Sequence, residues 1–413
     1  MSEQTLRINA KYILPVATPV IQNGSILIKN GEIQFIGKEN DCPNIAPHQV
    51  SHYSDHLIMP GLVNAHTHLS LSHLKNKIKS GIPFASWIKE IISYNDSLTE
   101  TDEKDASKEG IKNLIATGTT TIGDISRSGF SIEVMRNMKI RGVVFLEIIG
   151  FKKSTKEDQM NRVHELLWSC RGDGLIKCGL SPHATYSVSP QLIKLAFRLA
   201  KVKKLPLAMH IAETKEEMNF IERGEGDLRQ LLKERDNWEP EWEPQKTSPI
   251  KYLENSETLN GITGIHLNHI NDEDLKIIKK NNMSVVYCPN SNRWFQRERT
   301  HSLMKFLENK INVALGTDSL ASNETLNMFE ELILIRKQYP VISDATLVKM
   351  ATINGARALG LEEEVGSLET GKKADIIGLK TNNNDDIYKS IFLSKGEISF
   401  SMVEGEMIFP FQK

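Results

Sequence analysis

Two histidines separated by one residue, His66 and His68, close the apolar run Pro60-Gly61-Leu62-Val63-Asn64-Ala65-His66-Thr67-His68. In a strand, residues i and i+2 point the same way, so both imidazoles can reach one metal ion. A strand can also carry two solvent-facing histidines by chance, and the pair alone decides nothing. Three further apolar runs close in compatible groups: His210-Ile211-Ala212-Glu213, His266 within 262–267, and Gly316-Thr317-Asp318-Ser319. A single strand-end histidine is by default a satisfied polar residue. Four independent ends offering imidazoles and a carboxylate to one place reverse that preference. Three imidazoles and a carboxylate form a donor set suited to Zn2+ or Fe2+, with room left for a water.

The elements that must position these groups follow from the apolar pattern. Short β-branched runs at 57–66, 119–125, 142–149, 176–183, 207–212, 262–267, 284–288 and 312–316 alternate with amphipathic stretches. Eight strands separated by helices predict an α/β fold, a (β/α)8 TIM barrel, in which active sites lie at the carboxyl ends of the strands. Asn271 with Asp274 three residues later, and Ser189-Pro190, are expected to open two of the helices. The flanks differ. Runs at 6–14, 24–29 and 32–37, with Asn30-Gly31 as a hairpin turn, alternate in strand fashion, as do 376–377 and 398–403 before a turn at Glu404-Gly405. Both ends therefore predict one small composite β-sandwich, 1–59 with 362–413, beside a barrel at 60–361. The tract at 382–386 reads as a surface loop. The segment Trp238-Glu239-Pro240-Glu241-Trp242-Glu243-Pro244 reads as a packed loop or as a lid over the substrate.

Composition narrows the partners. Lysine plus arginine (51) nearly balances aspartate plus glutamate (52) in 413 residues, and no basic block interleaves with aromatics. A small molecule is expected and a nucleic acid is not. The start, Met1-Ser2-Glu3-Gln4-Thr5-Leu6-Arg7, lacks a basic region followed by an apolar core, and no apolar run approaches membrane-spanning length. The expectation is a soluble cytoplasmic protein with no membrane partner. Cys42, Cys170, Cys178 and Cys288 include no Cys-x-x-Cys pair and are expected as buried or reduced thiols rather than a disulfide framework.

Met59 to His68, Met209-His210-Ile211-Ala212-Glu213-Thr214, Cys288-Pro289-Asn290-Ser291-Asn292, Leu315 to Ser319, Thr352 to Leu359 and Gly366 to Asp375 together resemble the amidohydrolase superfamily. The likeness is to its mononuclear-metal deaminases, grouped with chlorohydrolases, and covers essentially the whole chain. It implies His66, His68, His210 and Asp318 as ligands of one divalent ion, zinc before iron. The implied reaction is hydrolytic deamination of an amino-purine nucleoside, with hydroxide generated at the metal attacking the ring carbon and ammonia released. Glu213 could take the water proton and pass it to a ring nitrogen; its alternative is a helix N-terminal carboxylate. His266 could bond the attacking oxygen, and Asp318 could help ferry a proton to the amine. His269 competes with His266, which is preferred for its strand-end place. His73 and His301 read as ordinary residues. The fourth strand end, Ser181-Pro182-His183-Ala184-Thr185-Tyr186, has no lysine to bridge two metals, so a single ion is expected.

The resemblance also implies substrate contacts. His183 is expected to face the substrate, Tyr186 less directly, and Trp87 in Phe84-Ala85-Ser86-Trp87-Ile88 resembles a pocket-lining tryptophan, or anchors a helix. Adenosine-type members, including those acting on S-adenosylhomocysteine and methylthioadenosine, typically carry a ribose-binding glutamate after this helix, where the present chain reads Ser93-Tyr94-Asn95-Asp96-Ser97. The Phe84 to Ile88 stretch and Thr317 to Asn323 are closer to the aminodeoxyfutalosine-deaminase-like branch. Arg293 is expected to meet a carboxylate or aromatic portion of the substrate, with surface packing as its alternative. The rival readings are deamination of guanine or cytosine, loss of chloride from a triazine, and a catalytically silent binding barrel. A homo-oligomer is the default expectation.

Overall fold

The computed structural model describes residues 4–168, 170, 174–297, 301–381 and 386–411. Of the expected loop at 382–386, residues 382–385 lie outside the described residues and Asp386 caps the helix Ile387–Ser394. Four strands open the chain: β1 (Thr5–Ile13), β2 (Ile21–Lys29), β3 (Glu32–Lys38) and β4 (Val50–Pro60). Asn30 (φ 51°) and Gly31 (φ 80°) make the tight β2–β3 turn, a left-handed pair that asparagine and glycine adopt at least cost.

Eight parallel strands follow: β5 (Leu62–Thr67), β6 (Thr119–Ser126), β7 (Arg141–Ile148), β8 (Ile176–Pro182), β9 (Ala208–Ile211), β10 (Thr263–His266), β11 (Ser284–Tyr287) and β12 (Asn312–Leu315). They form two four-stranded sheets, β5-β6-β7-β8 and β9-β10-β11-β12. Isolated parallel bridges join the sheets at both seams, Leu180 to Leu207 and Ala184 to His210 on one side and Thr67 to Asp318 on the other. Their runs are buried almost without interruption, as strands covered on both faces must be. Val63, Ala65, Ile125, Val143, Phe145, Ala208, Ile265, Val286 and Ala314 fill the space between the strands. Ala356, Ala358 and Leu359, from the helix Ile353–Leu359, close it at one end. Among the flanking helices, Ser189 caps Pro190–Lys203 and Asn271 caps Asp272–Lys280 with Asp274 completing a reciprocal box, as their sequences predict.

The chain ends in β13 (Ile376–Lys380), β14 (Phe400–Val403) and β15 (Glu406–Phe409), which join the first four strands in one mixed sheet of order β15-β14-β13-β4-β1-β2-β3. The central strand β4 pairs parallel with β1 and antiparallel with β13, so the C-terminal strands extend the sheet begun at the N-terminus instead of stacking on it. Ile8, Ile26, Ile33, Ile58, Ile376 and Phe400 share one apolar cluster, and an antiparallel bridge from Glu32 in β3 to Lys373 ahead of β13 shows that the sheet curls. From β4 the chain passes through Gly61 directly into β5; a Cβ there would run into the side chain of Thr120.

The thiols correct one expectation. Cys42 and Cys288 are free and buried, but Cys170 and Cys178 are joined as a disulfide across Cα atoms 5.8 Å apart. Cys170 follows the helix Lys156–Leu166 and Cys178 lies in β8, a pair eight positions apart that no Cys-x-x-Cys spacing announces. No helix among the described residues is long and apolar enough to cross a membrane.

Candidate metal centre and active site

The carboxyl ends of the parallel strands gather the histidines. His66, at the end of β5, is fully buried, and its Nε2 lies 3.4 Å from Asp318 Oδ1; His68 Nε2 lies 3.8 Å from the same oxygen. Asn64 ties β5 to the end of β12, donating to Thr317 Oγ1 (2.7 Å) and accepting from the Thr317 amide (3.1 Å). Thr67 Oγ1 adds a bond to the Asp318 carbonyl (2.8 Å). Gly316 permits this approach, because a Cβ there would stand 2.8 Å from His66 Cβ. Asp318 is then oriented by three donors, Ser319 N on Oδ1 (2.9 Å) and the hydroxyls of Ser291 (2.7 Å) and Ser322 (2.8 Å) on Oδ2.

From the other sheet, His210 on β9 holds its Nδ1 2.9 Å from the His183 carbonyl, which assigns the proton to Nδ1 and turns Nε2 inward. Its ring lies 5.0 Å from that of His66 and 5.4 Å from that of His68. Donor atoms of His66, His210 and His266 lie within 4.8 Å of one another, as do those of His66, His68 and Asp318. Both ring nitrogens of His66 are buried without a hydrogen-bond partner. Burial holds His66, His68 and His210 below the ordinary histidine range, His68 at about 4, so their rings are neutral with lone pairs free. An orphaned imidazole among neutral imidazoles and a carboxylate fits a divalent metal ion.

Glu213 follows β9 and His266 ends β10; Glu213 Oε2 and His266 Nε2 face each other across 3.9 Å. Burial raises the Glu213 carboxyl to about 7, against the opposing pull of Arg297, whose guanidinium bonds Oε1 at 3.1 Å. Burial lowers His266 to about 4. Glu217 fixes this segment from below, accepting from the Glu213 amide (2.8 Å) and the Thr185 hydroxyl (2.5 Å). Ala212 (φ 50°), His266 (φ 71°), Leu267 (φ 48°) and Asp318 (φ 59°) all adopt left-handed backbone where β9, β10 and β12 end. Such conformations cost energy and concentrate at sites whose geometry is over-determined.

These groups open onto a cavity of about 630 Å3 lined by His68, His183, His210, Glu213, His266 and Asp318, with Trp87 and Phe84 in its wall. Trp87 is held by its indole N–H on the Ala321 carbonyl (2.8 Å). His183 is fixed by Ser187 Oγ at 2.7 Å from Nδ1, and burial lowers it to about 4. Tyr186 lines the same space, whereas His269 does not. Trp238 and Trp242 pack on Phe151 and Phe220, while the adjoining Asp236 and Asn237 reach the cavity.

Arg293 is the exception among the expected contacts. It projects into solvent from the short helix Pro289–Trp294 and does not line the cavity. The arginine that reaches the site is Arg297, one turn later in irregular chain, bonded to Glu213 and stacked over Phe84 and Phe295, while Arg127 and Arg235 line the cavity itself. Glu147 was also overlooked, although it stands at a strand end where the same positional rule applies.

A comparison of sequences matches residues 57–408 to the Amidohydrolase family. The chain belongs to this family. Among amidohydrolase relatives, the 5-methylthioadenosine/S-adenosylhomocysteine deaminase of Thermoanaerobacter pseudethanolicus is 34% identical over 376 residues, 87% of this chain and 81% of that protein. The 5'-deoxyadenosine deaminase of Methanobrevibacter smithii is 30% identical over 93% of this chain and 86% of its own length. A zinc-bound adenosine deaminase from Xanthomonas campestris superposes with a TM-score of 0.86 at 23% identity, covering 97% of this chain and 92% of its own. Helicobacter pylori aminofutalosine deaminase, in complex with methylthio-coformycin, gives 0.85 at 23% identity, covering 97% and 99%. At that identity these two structures speak to the amidohydrolase fold.

Proposed function

We propose that this amidohydrolase is a metal-dependent deaminase that hydrolyses the exocyclic amine of an adenine-type nucleoside. The observation that carries this reading is the pairing of Glu213 with His266 across 3.9 Å beside the buried donor cluster. The names of the relatives, deaminases of 5-methylthioadenosine/S-adenosylhomocysteine and 5'-deoxyadenosine, support it. His66, His68, His210 and Asp318 would hold the ion, zinc by preference for this donor set. A bound divalent ion supplies a water acidic enough to attack near neutral pH.

The chain's own residues do the rest. Glu213, poised near 7, accepts a proton from the water and delivers it to a ring nitrogen, which makes the adjacent ring carbon electrophilic. His266, neutral by burial, hydrogen-bonds the entering oxygen. The second water proton travels by Asp318 to the amine, the C–N bond breaks, and ammonia leaves. His183 and Trp87 bind the purine, and the apolar wall excludes bulk water. In the same reading the eight parallel strands form a (β/α)8 barrel over 60–361, supported by the bridges at both seams. The curled terminal sheet, 1–59 with 362–413, acts as a small sandwich beside it, supported by its shared apolar cluster.

The test is ammonia release by purified, zinc-supplemented protein across aminodeoxyfutalosine, S-adenosylhomocysteine, methylthioadenosine, adenosine, guanine and cytosine. A clear preference for one adenine nucleoside is the expected result. Activity confined to guanine or cytosine, or silence with one ion bound per chain, would overturn the adenine-nucleoside reading.

A further inference from the structure

Phe145, Val143 and Glu147 lie on one face of β7, because alternate strand residues point the same way. Val143 and Phe145 belong to the apolar fill between the strands, so Glu147 is the next layer up, at the level of the histidines. It is 9% exposed, lines the cavity, and accepts no side-chain hydrogen bond from any described residue. Its charge is felt by His68, and more distantly by Arg127 and Arg162. Arg162 does not neutralise the carboxylate at close range. Its guanidinium instead bonds the carbonyls of Arg127 and Glu147, pinning the ends of β6 and β7 and fixing the direction in which Glu147 points.

A buried carboxylate aimed into a cavity without a donor costs several kcal/mol of lost solvation unless a ligand supplies the missing hydrogen bonds. An ionised carboxylate is acceptor-only, with two oxygens able to receive a pair of donors. A nucleoside whose amine faces Glu213 and the metal donors must turn its sugar toward another part of the wall. The two vicinal hydroxyls of a ribose are a matched pair of donors for such a group. In the segment after the helix Phe84–Asn95 the carboxylate is turned away, since Asp96 is 65% exposed at the rim and faces Arg235 at 3.9 Å. Asn95, whose buried Oδ1 lacks a partner among the described residues, offers the cavity one amide oxygen where Glu147 offers a carboxylate pair.

We propose that Glu147 is the sugar-reading residue of this site, its carboxylate accepting hydrogen bonds from the 2′- and 3′-hydroxyls of a ribonucleoside. This rests on the nucleoside-deaminase reading above and adds to it a requirement for the diol. It makes Glu147 a determinant of specificity that takes no part in proton transfer.

The experiment compares kcat/KM for adenosine, 2′-deoxyadenosine, 3′-deoxyadenosine and 9-methyladenine in the zinc-loaded wild type, Glu147→Gln and Glu147→Ala. The wild type should prefer adenosine over either deoxy compound by about 10- to 100-fold, the worth of a hydrogen bond to a charged group. Glu147→Ala should lose most of its adenosine activity while its rates on the deoxy compounds change little, so that the preference falls toward one. Glu147→Gln should lie between them. The deoxy compounds delete the interaction from the substrate side, so the wild-type comparison stands even if a variant fails to fold or to bind zinc. A preference that survives intact in folded, zinc-loaded Glu147→Ala, or a wild type indifferent to both hydroxyls, would overturn the assignment while leaving deamination in place. A loaded wild type that deaminates neither these four compounds nor any adenine nucleoside of the panel above would remove the nucleoside-deaminase reading and this one with it.

Discussion

The same eight strands carry a buried ionic cluster at each end, and the two are built in opposite ways. At the amino ends Arg141, 1% exposed, starts β7 and binds Asp375 through Nε (2.7 Å) and Nη2 (3.3 Å) and Glu404 through Nη2 (2.9 Å), with Glu364 at 3.5 Å. Asp375 also accepts from the Glu404 amide (2.9 Å), and its carbonyl accepts from Gly61 (3.0 Å). Every nitrogen of the guanidinium meets a carboxylate, and the cluster clamps the parallel-strand body to the terminal sheet. At the carboxyl ends His66 has two nitrogens with no partner, the carboxyl of Glu213 is pushed up to about 7, and four residues hold left-handed backbone. A buried cluster that satisfies itself is a structural joint, and one left short of partners is waiting for a ligand.

Mutation of each end should therefore give opposite phenotypes. Glu213→Gln should lower kcat by about 100- to 10,000-fold with bound zinc unchanged, read by steady-state kinetics beside metal analysis. Loss of the metal along with activity would instead make Glu213 part of the ion's support. Asp375→Asn should reverse the pattern, costing about 1.5–3 kcal/mol in urea unfolding because it removes the carboxylate that holds two of the guanidinium's nitrogens, with kcat per folded, zinc-loaded molecule unchanged. A fall in kcat matching that of Glu213→Gln would show that the two ends are not independent.

Arg297→Met sharpens the contrast at the mouth alone. Burial raises the Glu213 carboxyl and the Arg297 charge lowers it, so removing the guanidinium should push that carboxyl further up. The base is active when ionised, so the acid limb of kcat/KM should move to higher pH, by about one unit, with little change in Tm. A limb that stays in place means that Arg297 does not set it. The smallest effect belongs to a site far from both clusters. Asn271→Ala removes the cap of the helix Asp272–Lys280 and should cost about 1 kcal/mol of stability with kinetics untouched.

Much of this arrangement is legible in the sequence, because a parallel strand buried on both faces announces itself as an apolar run and its carboxyl end can be read off directly. The eight runs, the hairpin at Asn30-Gly31 and the caps at Ser189 and Asn271 correspond to observed elements, with boundaries shifted by a few residues. What escaped depends on distance in the chain or on irregular backbone. The pairing of β4 with β13 joins residues about three hundred apart, and no local pattern shows that it makes one sheet. The Cys170–Cys178 link depends on how the chain re-enters β8. Arg293 and Arg297 flank the same short helix end, and only the turn between them decides which reaches Glu213. Glu147 differs, since its place at the end of an apolar run is readable, but a lone carboxylate carries no metal-ligand spacing to single it out.

The seams give the mouth a further meaning. Residues 62–182 supply one sheet, with His66 and His68; residues 208–315 supply the other, with His210 and His266, and Asp318 follows its last strand. Regular pairing stops at both junctions, and what remains are single bridges, two of which run through the donors themselves, Ala184 to His210 and Thr67 to Asp318. An ion shared by these side chains would act as a rivet through two half-shells, set beside the few bridges that already join them. Loading the site would then be an assembly step as well as a catalytic one.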